Sequence, residues 1–318
     1  MSDTITRIPA WASVGSWVKT PANEGLRAAD IIREAGLDWT VTKEALTVTA
    51  LGEDGVTTLP VDQVGITRRD ANGNPIDVLG VTGPDYVPVQ NHEMIDLLDG
   101  IVDGAGASFE AAGSFRDNRA VFVAMRLPGG FTVGNDESDV FLFAENAHDG
   151  SGAFHVSVTG LRLDCTNQIK SIRRGREYGV SFRHTKNLKV THERVRTAIN
   201  LAVSATSEIA AEAAALAAIP MDKAEFRTFA ETLLPIADDA TERVMLSRLD
   251  ARENLLHLFD GPTNQSIAGT RWAAWNAVSE YDQWVRPVRG ADRSIRQMEA
   301  RTKIDTLTAK AGALLLPA

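Results

Sequence analysis

The sequence predicts an α+β fold, with an N-terminal helix plus an antiparallel β-meander followed by an all-α C-terminal half. Three observations carry this expectation. From Ser108 to Asn167, short β-branched and aromatic stretches alternate with turn-forming residues. Beyond Thr191 the chain becomes Ala-rich and reads as a series of helices. An apolar share of 44% over 318 residues is ample for a packed core. The composition changes near residue 195, so the expected division is an α+β domain, 1–195, carrying a basic segment at 170–196, and a helical region, 196–318.

In chain order, the first 25 residues mix Trp11, Gly15, Trp17 and Pro21 without a period and read as an irregular arm. "NEGLRAADIIREAGLDW" reads as a helix, with Leu26, Ala29, Ile31 or Ile32 and Ala35 on one side and Gly36 at its C-terminus. "WTVTKEALTV" alternates as strands do, and Asn72-Gly73-Asn74-Pro75 is a turn between two short strands. "NHEMIDLLDGIVDGAG" is a second helix, with Asn91 as its expected N-cap. "SFEAAGSF", "RAVFVAMRL", "DVFLFAENA" and "AFHVSVTGLRLDC" form the meander, and apolar residues at every second position predict half-buried strands. A long helix then runs from "HERVRTAINL" to Pro220, and the next opens with Asp222 and Glu225 as a capping box. "DATERVMLSRLDARENLLHLFDG", "GTRWAAWNAVSEYDQWVRP" and a polar C-terminal helix complete the chain.

Composition excludes several function classes. No apolar stretch is long enough to span a bilayer, and the N-terminus lacks a basic segment followed by an apolar core, so a cytoplasmic protein without membrane contact is expected. The single cysteine, Cys165, cannot form an internal disulfide. The six histidines are scattered without a ligand-like spacing, so no metal is expected. The glycine-rich stretches lack the Lys-Ser/Thr of a phosphate loop, and no cofactor is expected.

The charge distribution says more than its sum. Lys170 to Arg196 holds nine Lys/Arg against two acids, a net +7 in a chain of net −9, so the remainder carries −16. Such segregation fits a local anion-binding surface on a repelling body. Lys170, Arg173, Arg174, Arg176, Arg183, His184, Lys186 and Lys189 would grip phosphates, and Tyr178 would stack on an unpaired base. The expected partner is nucleic acid, single-stranded DNA above all, held by a homo-oligomer. The bland alternative is a solvated face balanced by acids nearby in space.

Two further readings stay open. His148, Asp149, Arg162, Cys165 and Asn167 would meet at one edge of the sheet, where a thiol beside imidazole and amide is the minimum for nucleophilic chemistry on a small anionic or nucleotide substrate. Against this, Cys165 alternates with Leu161 and Leu163, the pattern of a buried thiol, and His148-Asp149-Gly150 reads most simply as a β-turn. Trp272, Trp275 and Trp284 read as packing and interface residues rather than a stacking platform, and the third reading is a host-interaction protein whose aromatic C-terminal helices bind another protein.

The ordered set "LGVTGPDYVPVQN", "HDGSGAF", "LRLDCTNQI", "FRHTKN" and "GTRWAAWNAVSEYDQW" resembles the phage/plasmid-related family called domain of unknown function 932, from about Trp11 to Trp284. The resemblance implies carriage on phages, prophages or plasmids and brings no established activity. Its Arg-Val-Val-Cys-x-Asn-Thr segment reads here from Arg162 to Gln168, with Gln168 in place of the final Thr. The order of helix, meander, basic residues and long helix is similar in outline to phage single-strand annealing proteins. That analogy implies annealing or recombination as the task.

Overall fold

The computed structural model describes residues 27–53, 55–162, 168–169, 172, 179–182, 192–288, 293 and 306–317. The protein is α+β, with two antiparallel sheets and a helical C-terminal half. Among the described residues no helix is long and apolar enough to cross a membrane.

The first helix, α1 (Ala28–Glu34), is short and buries Ala28, Ile31 and Ile32. The strands β1 (Thr40–Gly52), β2 (Gly55–Arg69) and β3 (Pro75–Thr82) form the first sheet in that order. At the β2–β3 turn, Asp70 Oδ1 accepts from the backbone N–H groups of Asn72 and Asn74, at 2.9 and 2.8 Å. A 3₁₀ turn, Asn91–Met94, leads into α2 (Ile95–Ala105). The residue before the turn, Gln90, is its cap: the Gln90 N–H donates to Glu93 Oε2 at 2.6 Å. Asn91, expected to be the N-cap, is drawn instead into a buried hydrogen-bond network.

The second sheet contains β4 (Ser108–Phe115), β5 (Ala120–Arg126), β6 (Phe131–Val133), β7 (Asp136–Ala147), β8 (Phe154–Arg162), β9 (Gln168–Ile169) and β10 (Gly179–Phe182). Its main path is β10-β8-β7-β5-β4, with β6 paired to β7 and β9 to β8. The expectation of half-buried strands is corrected: Val121, Phe122, Val123, Ala124 and Met125 are all fully buried. The physical reason is that both parities of β5 are apolar, as in strands covered on both faces. Val121, Val123 and Met125 join the main core, while Phe122 and Ala124 join a smaller one with Ala111, Phe141, Phe143 and Leu161.

Among the described residues, the α-helices of the helical half are α3 (His192–Ala217), α4 (Lys223–Leu233), α5 (Glu242–Phe259), α6 (Arg271–Glu280) and α7 (Leu307–Leu315). The capping box of α4 forms as expected: Asp222 Oδ1 accepts from the Glu225 N–H, and Glu225 Oε2 from the Asp222 N–H, each at 2.8 Å. The main core is continuous from α1 through the sheet to Leu315 of α7, so apolar burial joins both halves of the chain.

Candidate functional site

One edge of the second sheet carries the described neighbours of the basic run. β8 pairs with β7 on one side; on the other, β10 lies beside Phe154–Ser157 and β9 beside Gly160–Leu161. Ile169 and Ile172 are fully buried in the main core. Gly312 of α7 sits against the Ile172 carbonyl so closely that a Cβ would lie 1.6 Å from its oxygen. On β10, a Cβ at Gly179 would come within 2.6 Å of the His155 ring, and His155 Nδ1 lies 2.9 Å from Ser181 Oγ. On α3, Ala198 and Ala202 are buried in the core and Arg196 is exposed. Lys170, Arg173, Arg174, Arg176, Tyr178, Arg183, His184, Lys186 and Lys189 lie outside the described residues, as do Cys165 and Asn167.

The last residue of β8, Arg162, is fully buried and ties the sheet to the helices. Its Nε lies 2.8 Å from both carboxylate oxygens of Asp136, which is itself 1% exposed. Nη1 donates to Asn264 Oδ1 at 3.3 Å and Nη2 to the Thr263 carbonyl at 3.1 Å. Trp272 Nε1 donates to Asp136 Oδ2 at 2.8 Å, and Thr263 Oγ1 donates to Glu280 Oε2 at 2.6 Å. A buried guanidinium satisfied in this way is a latch between two elements, since its charge is already compensated inside the protein.

The opposite end of the β7–β8 pair is organised around His148, also fully buried. Its Nε2 lies 3.0 Å from Asn91 Oδ1, and Asn91 Nδ2 donates to the Leu37 carbonyl at 2.8 Å. With the amide nitrogen committed to Leu37, Asn91 Oδ1 accepts in this pair and His148 Nε2 donates. The Trp39 ring meets His148 edge-on at 4.9 Å. Asp149 Oδ1 accepts from the Ser151 N–H at 3.0 Å while Oδ2 pairs with Arg116 at 2.5 Å, so His148-Asp149-Gly150 is the turn that its composition indicates. Tyr86 donates to the Ala147 carbonyl at 3.1 Å; burial, with the Asp149 carboxylate adding, pushes its phenol well above the ordinary range.

The structure does not bring His148 and Asp149 to Arg162. The register pairs Glu145 with His155 and Ser138 with Arg162, which puts the two groups at opposite ends of a strand pair, roughly 30 Å apart by strand rise. Consecutive antiparallel strands end on opposite sides of a sheet, and that is why the expected constellation does not assemble around both. Sequence reasoning missed Asp136, Thr263, Asn264 and Glu280, which sit in turn-like or helical stretches with no local signal of a partner. Trp272 packs in the core as its spacing predicts, and its indole N–H also holds Asp136. Among the described residues, no three His, Cys, Asp or Glu side chains group as a metal site would.

Residues 78–304, about seven-tenths of the chain, match the family model described as Domain of unknown function (DUF932). The match starts later than the resemblance at Trp11 and runs past Trp284. No curated protein and no solved structure matches the chain.

Proposed function

The chain belongs to the family described as Domain of unknown function (DUF932), and we propose that within it this protein binds nucleic acid. The ligand is single-stranded DNA, the surface is the basic run from Lys170 to Arg196, and the protein acts as a homo-oligomer in recombination-like strand annealing. Carriage on a phage or plasmid belongs to the same proposal.

The observation that carries it is the net +7 of that run within a chain of net −9. Lys and Arg neutralise phosphates and release counterions, and an interleaved Tyr178 adds a stacking surface that tolerates any base. The buried anchors Ile169 and Ile172 support the reading, because they fix points beside and within the run to the core. The rival reading, chemistry on a small anion through His148 and Arg162, has less support: both side chains are fully buried and occupied by Asn91 and Asp136.

Fluorescence anisotropy with labelled single- and double-stranded DNA and RNA across a salt series tests the proposal. Tight, salt-sensitive binding that favours single-stranded DNA is the expected result. Absence of binding at low salt would overturn it.

A further inference from the structure

Among the described residues, the inner part of the β1 edge is covered and its outer part is not. Val41 donates its N–H to Gln90 Oε1 and accepts from Gln90 Nε2 through its carbonyl, both at 2.9 Å, so the Gln90 amide closes the strand edge there. Lys43 and Ala45 alternate with Val41 and turn their backbone groups to the same outward side; beyond the register shift between Ala45 and Thr47, Thr47 faces Pro60, which has no N–H to donate, so Thr47 and, by alternation, Thr49 and Leu51 also turn theirs outward. Among the described residues β1 pairs only with β2, so no strand covers that edge. The sheet is also thin at its outer end. β3 pairs with β2 only from Val64 to Arg69, which leaves Thr47–Gly52 and Gly55–Pro60 as a two-stranded ribbon. Val48 and Leu59 face each other across it, as do Leu51 and Val56, and these four are 50 to 88% exposed. Two-stranded ribbons are marginal in water, and an apolar edge without charge or proline invites another strand. From Ala45 to Gly52 there is no charged residue and no proline.

We propose that β1 pairs antiparallel with β1 of a second copy of this chain, about a two-fold axis at Val48, joining the two three-stranded sheets into one of six strands. This locates the interface of the homo-oligomer proposed above and does not depend on the ligand. The register follows from the free edge. Centring on Val48 sets Thr47 opposite Thr49 and Ala45 opposite Leu51 within the strand and brings Lys43 level with Glu53 in the turn that follows β1, so the pairing uses the open edge without reaching Gln90. It also places the exposed Lys43, which donates to the Pro84 carbonyl at 2.7 Å within its own chain, beside the exposed Glu53 of the other copy, twice by symmetry. Opposite charges at directly facing positions favour this register over neighbouring ones. Nucleic acid is a poor occupant, since the ribbon offers no cation between Lys43 and Arg68 and Glu53 stands at its tip. The two-fold contact is self-complementary and closes as a dimer, as isologous interfaces do.

The test is sedimentation velocity on the full chain, with oxidative cross-linking in a Cys165→Ser background. Val48→Cys is expected to form a covalent dimer, because residues on the axis face each other within disulfide range, whereas Leu51→Cys is not. Thr49→Pro removes an outward N–H without touching the β2 pairing and is expected to shift the dimer to monomer with an unchanged circular dichroism spectrum. Lys43→Glu and Glu53→Lys should each weaken the dimer, and the double variant should restore it. A chain that is monomeric at all concentrations overturns the proposal. So does a dimer indifferent to Thr49→Pro, or Val48→Cys that cross-links only to other proteins.

Discussion

Arg162 shows what a single residue contributes once its surroundings are known. Its guanidinium is shut off from bulk water, so partners inside the protein, Asp136, Thr263 and Asn264 among them, must compensate it. Removing one side of a buried pair leaves the other charge stranded. Asp136→Ala should therefore lower stability by about 3–5 kcal/mol, read as a fall in the urea midpoint without a change in slope. Adding Arg162→Met should recover part of that loss, since an apolar replacement of both partners removes the stranded charge. Tyr86 makes a second residue-scale case. Its folded-state pKa is raised by burial, so the stability held by the neutral phenol is fully present below the ordinary value and is lost as pH rises toward the folded one. Above about pH 10, the melting temperature of the native protein should fall more steeply than that of Tyr86→Phe.

At the scale of elements, much of the chain is legible in its sequence. The capping box at Asp222 and Glu225, the turn at Asn72–Asn74 and the helix from "HERVRTAINL" are local patterns, and local patterns survive into the fold. Two element-scale expectations fail because distant groups compete. Asn91 leaves the cap position to Gln90 and serves Leu37 and His148 instead, and β5 buries both of its faces. The packing of α7 on the sheet edge has the same long-range character. Gly312→Ala would drive a methyl into the Ile172 carbonyl, where backbone has to move, so it should destabilise the protein by several kcal/mol, on the order of the larger overpacking penalties. Thermal unfolding against Gly269→Ala, which has open space but a left-handed backbone, separates the clash from the loss of a glycine.

For the whole molecule, charge and topology act together. The run from Lys170 to Arg196 opposes the net sign of the rest of the chain, so the proposed grip on a polyanion would be local and strongly salt-dependent. Reversing Arg173, Arg174 and Arg176 to Glu should weaken single-stranded DNA binding and flatten the slope of log affinity against log salt by about 0.7 for each phosphate no longer neutralised. Unchanged affinity in that variant would remove the basic run from the site. The proposed dimer adds a second reach to this scale, since pairing through β1 would bring two basic runs into one particle.

The sequence alone determined the fold class, the order and kind of most elements, and the charge segregation on which the functional reading rests. These depend on periodicity, capping chemistry and composition, which act over a few residues or need no geometry. Only the tertiary structure decided that His148 and Arg162 stand at opposite ends of one strand pair. It also decided that Asp136 and Trp272, 136 positions apart, share a hydrogen bond, and that the Gln90 side chain closes the edge of β1 at Val41. Each of these is a pairing across long loops. Its energy comes from burial and hydrogen bonds between residues whose meeting no local pattern specifies.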